Sequence, residues 1–170
     1  MSRLQRLMTC LCAALALTAI ASCGVGPSVT INGSTGVTVG EDGRTLVVAA
    51  VCSDSVDEVN ISFGRERLED TEPNKQAGTW TLRKPATKSV TLDIAEPGPE
   101  WKTHQPAEFL DGKHYIVFAD RSDDDDVETT QVDFFPADLK SLKADQVRVM
   151  SGDVWDMADF EAKACGRDKP

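Results

Sequence analysis

"VTVGEDGRTLVVAAVC", Val37 to Cys52, is the stretch that decides the fold. At its centre Asp42-Gly43 stands between β-branched residues, a hairpin signal because both residue types tolerate the positive φ of tight turns. Thr45 to Cys52 is then apolar on both alternating faces, as expected of a central strand buried on both sides. Outward from there the same punctuation recurs. Upstream, "VTINGSTGVTV" sets Asn32-Gly33 between β-branched residues and predicts an earlier hairpin. Downstream, Val59/Ile61/Phe63, Trp80/Leu82, Val90/Leu92/Ile94 and Val132/Phe134 alternate with polar residues in the manner of half-buried strands. Tyr115 to Ala119 is again apolar on both faces.

Taking Val29, Val37, Leu46, Val59, Trp80, Val90, Tyr115, Val132 and Val147 as markers predicts about nine strands, many at the short spacing of an antiparallel sandwich. In pattern the chain from residue 29 to 170 resembles a single immunoglobulin-like β-sandwich, with another two-sheet or barrel all-β fold as the alternative. The Cys…Trp…Cys spacing of antibody domains is missing, because the interval from Cys52 to Cys165 spans nearly the whole domain. Helix is scarce. "PADLKSL" suits one or two turns after the strand ending at Phe135, with Pro136 in the N-terminal turn. "DMADFEAKAC" is the clearer helix: Asp156 can cap it, and Met157, Phe160, Ala164 and Cys165 recur at helical spacing. Cys165 would then lie on the apolar helix face. Cys52 shares its strand face with Leu46, Val48 and Ala50, so both sulfurs are expected to point inward and to form a bridge from the C-terminal helix to a central strand.

The first residues have a different character. A basic segment carrying Arg3 and Arg6 precedes an apolar run from Leu11 to Ile20, shorter than the roughly 20 residues of a membrane-spanning helix, and a small-residue site follows. Ile20-Ala21-Ser22-Cys23 resembles the lipobox of bacterial lipoproteins, a resemblance confined to the leader. It implies that residues 1–22 are removed as a signal peptide, that Cys23 is acylated and becomes the mature N-terminus, and that residues 23–28 form a short tether. Ala19-Ile20-Ala21 is also an ordinary cleavage site, which would release a soluble protein. Cysteine parity favours acylation. Cys10 and Cys12 leave with the leader, so acylation of Cys23 leaves Cys52 and Cys165 as one pair in an oxidising compartment. The protein is therefore expected outside the cytoplasm, anchored to the bacterial cell membrane by an N-terminal lipid.

Loss of Arg3 and Arg6 leaves 16 basic against 28 acidic side chains. Nucleic acid is excluded as a natural partner, since phosphate binding needs clustered Lys and Arg. Anionic headgroups are repelled too, so membrane attachment rests on the acyl chains. Gly24-Val25-Gly26 has neither the preceding strand nor the following helix of a phosphate loop. Asn32 and Asn60 match the glycosylation pattern, which a bacterial leader makes accidental.

Catalytic chemistry has a thin inventory. No "GxSxG", "SxxK" or "HExxH" occurs, and no cofactor or resident metal is indicated. His114 opens an apolar strand and reads as an edge or packed histidine. His104 lies in "EPGPEWKTHQPAEF", a Pro-rich loop in which Trp101 could anchor a partner or fold back over the end of the domain. "DRSDDDDVE" offers Asp120, Asp123, Asp124, Asp125, Asp126 and Glu128 as carboxylate ligands for calcium, without the alternation and central glycine of an EF-hand. The stronger reading is a solvated hairpin tip opened by self-repulsion. The expected function is a non-catalytic binding or accessory domain at the membrane surface, meeting an envelope protein or ligand. The alternative is a hydrolytic enzyme acting on an envelope substrate.

Overall fold

The computed structural model describes residues 29–66, 68–69 and 72–166. Cys23, the signal peptide 1–22 and the tether 23–28 lie outside the described residues. The fold is all-β. Its strands are β1 (Thr30–Val39), β2 (Thr45–Val51), β3 (Val56–Phe63), β4 (Gln76–Ala86), β5 (Val90–Asp93), β6 (Trp101–Gln105), β7 (Tyr115–Arg121), β8 (Asp124–Thr130), β9 (Val132–Phe134), β10 (Gln146–Arg148) and β11 (Val154–Asp156). Two short helices complete it: α1 (Pro136–Leu139) and α2 (Met157–Lys163).

The strands form one mixed sheet that curls almost into a barrel. Its main path runs β5-β2-β1-β8-β7-β3-β4-β6, with β9 paired to the first half of β7 and β10 to the second half of β1. Departing from the purely antiparallel expectation, β1 and β8 are parallel, with Thr30 opposite Val127 and Ile31 opposite Glu128. Thr129 ties β8 to both neighbours: its hydroxyl accepts from the Ala119 N–H of β7 at 2.9 Å, donates to the Ala119 carbonyl at 3.0 Å, and is hydrogen-bonded to the Thr35 hydroxyl of β1. β11 extends the β10 branch, and the ends of the path itself are β5 and β6. Between them the indole N–H of Trp101, on β6, donates to the Thr91 carbonyl of β5 at 3.3 Å.

The Asp42-Gly43 hairpin forms as expected. Gly43 takes φ +79°, the Gly40 N–H donates to the Arg44 carbonyl at 2.8 Å, and Val39 closes on Thr45. Asn32-Gly33 is not a hairpin, so the markers Val29 and Val37 belong to one strand region and not two. Gly33 sits within β1 at φ +132°, where a side chain would come within 1.9 Å of the Ala50 carbonyl oxygen. The pairing of β1 with β8 slips at this point, so the glycine makes a bulge. Asn32 is fully buried there and serves as an acceptor: its Oδ1 takes the Ser53 N–H, the Ser53 hydroxyl and the Asp54 N–H, each at 2.9 Å. What looked like turn chemistry thus organises the β2–β3 connection.

Strand β2 is buried on both faces, as its sequence requires. Val47, Ala49 and Val51 enter the main core with Ile61, Trp80 and Tyr115. Val48 and Ala50 face outward into a second cluster with Val147, Val149, Phe160 and Ala164, which α2 covers. The bridge from Cys52 to Cys165 is present, with Cα atoms 5.4 Å apart across 113 residues of chain. Its placement differs from the expected one. Both cysteines are exposed, because Cys52 follows the end of β2 and Cys165 lies beyond the last turn of α2, so the sulfurs close the helix over its cluster from outside. Asp156 holds the N-cap position of α2, yet its side chain makes no capping bond.

Candidate functional site

At the end of the barrel where β3 finishes and β7 begins, a cavity of about 530 Å³ opens. Gly64 makes its wall possible. Its N–H donates to the His114 carbonyl at 2.8 Å, and any side chain at residue 64 would strike the His114 ring. The half-buried imidazole is held on three sides. Nδ1 bonds to the Glu66 carboxylate, Nε2 faces Asp133 Oδ1 at 3.6 Å, and the ring stacks on Phe135 at 4.9 Å. Glu66 stays below the usual carboxylate range, first through a bond with its own backbone and then through His114 and Lys113.

Beneath the cavity lies an aromatic layer. Tyr115 packs with Phe63, Phe109 and Phe134 at centroid distances of 5.3, 5.0 and 5.7 Å. Its hydroxyl accepts from the Leu110 N–H at 2.9 Å and donates to the Glu108 carbonyl at 3.1 Å, which fixes the β6–β7 connection. Leu110 consequently stands 50% exposed at the mouth, opposite Phe135 at 42%. Lys75 and Lys113 complete the rim, and neither makes an ion pair among the described residues. An apolar cavity of this size with a few convergent polar groups has the form of a small-ligand site.

A polar row crosses the outer face of the sheet. Glu58 on β3 lies opposite Asp120 on β7, and Asp120 lies opposite Glu128 on β8. Like charges facing across strands are unfavourable. Asp120 is accordingly pushed up to about 7, chiefly by burial and then by the Glu58 charge, against the opposing hydrogen bond from Asn60. Burial raises Glu128 as well. Asn60 Nδ2 joins the acids, donating to Glu58 at 2.9 Å and to both Asp120 oxygens at 3.1 and 3.3 Å. From Glu58 the row continues through the Thr81 hydroxyl at 3.2 Å to His104 Nε2, a further 2.9 Å away.

The residues singled out from the sequence fall in several places. His104 and Trp101 belong to strand β6 and not to a loop. His104 is exposed on the polar row, whereas Trp101 is 6% exposed and spans the barrel seam, so it presents no surface anchor. The acidic stretch is also mostly strand: Asp124, Asp125 and Asp126 begin β8, leaving Ser122 and Asp123 at the tip. Strand alternation divides its carboxylates between two sides. Asp123 pairs with Arg121 at 2.8 Å, Asp124 accepts from the Asp126 N–H at 3.1 Å, and Asp120 and Glu128 sit in the row described above. Among the described residues no three potential ligands converge to hold a metal ion, so the calcium candidate is not assembled. His114 was legible as a packed strand-end histidine; its cavity was not, because Glu66, Leu110 and Phe135 reach it from separate connections.

Among the described residues no helix is long and apolar enough to cross a membrane. In comparisons with known proteins, no family model, no curated protein and no solved structure matches the chain.

Proposed function

We propose that the chain is a bacterial envelope lipoprotein, anchored through acylated Cys23, whose β domain binds a ligand at the His114 cavity without turning it over. The observation that carries the binding reading is the cavity itself, with apolar walls and a histidine already committed to Glu66. Among the described residues lining it there is no serine, threonine or cysteine to act as a nucleophile. The disulfide supports export, since such bonds persist in oxidising compartments. An immunoglobulin-like assignment of the fold is part of the same proposal. Its support is Tyr115, at the start of β7 with its hydroxyl bonded back to Glu108, an arrangement similar to a tyrosine corner.

The test is fatty-acid-analogue labelling in cells, combined with photocrosslinking from a reactive residue placed at position 110. Labelling that is lost in Cys23→Ala, with crosslinks that are lost in Phe135→Ala, supports both parts. Undiminished labelling of Cys23→Ala overturns the anchor, and crosslinks indifferent to Phe135 overturn the site.

One observation favours the hydrolase as a second reading: the row from Asp120 through Glu58 and Thr81 to His104 brings acids, a hydroxyl and an imidazole together. Its order is unlike a catalytic triad, in which the imidazole stands between hydroxyl and acid. Hydrolysis of an envelope substrate that disappears in His104→Ala would promote it.

A further inference from the structure

The mouth of the His114 cavity is charged differently from the rest of the molecule. The full chain carries a formal charge of −10, yet the rim displays Lys75 and Lys113 without ion-pair partners among the described residues. Among the acids at this end, Asp111 faces Lys140 at 3.5 Å, and Glu66 and Asp133 both face the His114 ring. Both are already engaged by the imidazole, though more than half exposed, while the lysines have donors to spare. Lys113 also helps to hold Glu66 ionised from a distance, without closing to a contact. The walls between these cations are Phe63, Leu68, Leu110 and Phe135.

We propose that the cavity takes a small amphipathic carboxylate, its aliphatic or aryl body against Leu68, Leu110 and Phe135 and its acid group on Lys75 and Lys113. The inference rests on the binding reading of the same cavity and adds the chemical class of the ligand. Size agrees, because about 530 Å³ accommodates a medium-length chain or a ring system but not a folded partner. Charge sets the head group. A carboxylate finds unpaired ammonium donors at the rim, whereas a cationic head would have to share Glu66 or Asp133 with His114. Specificity comes from that difference, since a neutral chain gains only the apolar contact.

The experiment uses the full chain carrying Cys23→Ala, free of detergent, with three probes of equal chain length: decanoate, decanol and decyltrimethylammonium. Binding is measured by calorimetric titration. Decanoate is expected to bind at least tenfold more tightly than decyltrimethylammonium, with decanol between them. In Lys75→Gln/Lys113→Gln, which changes only exposed side chains, decanoate should fall to the decanol level while decanol is unchanged. Phe135→Ala should weaken all three. If the three probes bind equally and Phe135→Ala weakens them together, the ligand class is wrong and the cavity reading stands. If none binds, or if Phe135→Ala leaves binding intact, the cavity reading falls with it.

Discussion

Asp120 holds a carboxyl in a place that disfavours its charge, and replacing it by asparagine reads that cost directly. In the folded protein its pKa rises from an ordinary 3.8 to about 7, through burial first and the facing Glu58 second. Each pKa unit corresponds to about 1.4 kcal/mol, so the complete rise bounds the cost at roughly 4 kcal/mol. Residual solvent access screens the group and brings the expected value to about 2 kcal/mol. The sign follows from proton linkage. Between pH 4 and 7 the folded state retains a proton that the unfolded state has released, so stability present below the unfolded pKa is lost as pH rises through the folded one. Asp120→Asn does not titrate, and its amide oxygen still accepts from Asn60. The variant should match the wild type at pH 4 and exceed it by about 2 kcal/mol at pH 8, or roughly 6–8 °C in Tm for a domain of this size. Urea denaturation at the two pH values, with m compared between proteins, measures the difference. Equal differences at both pH values, or a variant less stable at pH 8, would refute the electrostatic account.

Two other perturbations test the architecture. The Cys52–Cys165 bond closes 113 residues of chain, for which loop entropy gives about 5 kcal/mol, so reduction or Cys165→Ser should lower the melting temperature strongly; two unpaired thiols in freshly exported protein would remove the premise. Trp101→Phe keeps the ring in the seam and loses the bond to Thr91, costing about 1 kcal/mol, whereas Trp101→Ala should cost about 3–5 kcal/mol and raise amide exchange in β5 and β6 together; loss of protection in β6 alone would refute a latch between the edges.

The all-β class was legible because strand alternation is a local property, and Thr45 to Cys52 stated even the burial of both its faces. Misreadings arose where one residue type serves two ends. Asn32-Gly33 has turn chemistry, but the glycine is required by the close Ala50 carbonyl and the asparagine by the next loop's donors, neither of which is near in sequence. The acidic run looked like a tip because consecutive charges suggest solvation, yet pairing of β8 with β7, where Asp124 lies opposite Arg121, draws Asp124 to Asp126 into a strand. Trp101 hid a strand among prolines and glycine. At the cavity the one available signal was "VDFF": alternation buries Phe134 at 1% exposure and so compels its neighbour Phe135 outward at 42%. Nothing local connects that exposed ring to Glu66 or Leu110, which arrive from the β3–β4 and β6–β7 connections.

The start of the described chain and the proposed site fall at opposite ends of the barrel, and strand direction is what separates them. β1 enters at Thr30, level with Val127 of β8 and near the end of β7 at Arg121. The cavity lies where β7 begins, beside His114 and Tyr115. Six strand steps of about 3.3 Å place these ends roughly 20 Å apart. A tether leaving from Val29 would therefore hold the Arg121 end nearest the membrane and turn the mouth at Leu110 and Phe135 toward the envelope space. The disulfide belongs to the end where β1 begins, because Cys52 directly follows Val51, the residue opposite Gly33. Tension on the tether would then act on β1 where it is held between β2 and β8, close to the Cys52–Cys165 bond, and the cavity wall at Gly64 would be spared that load.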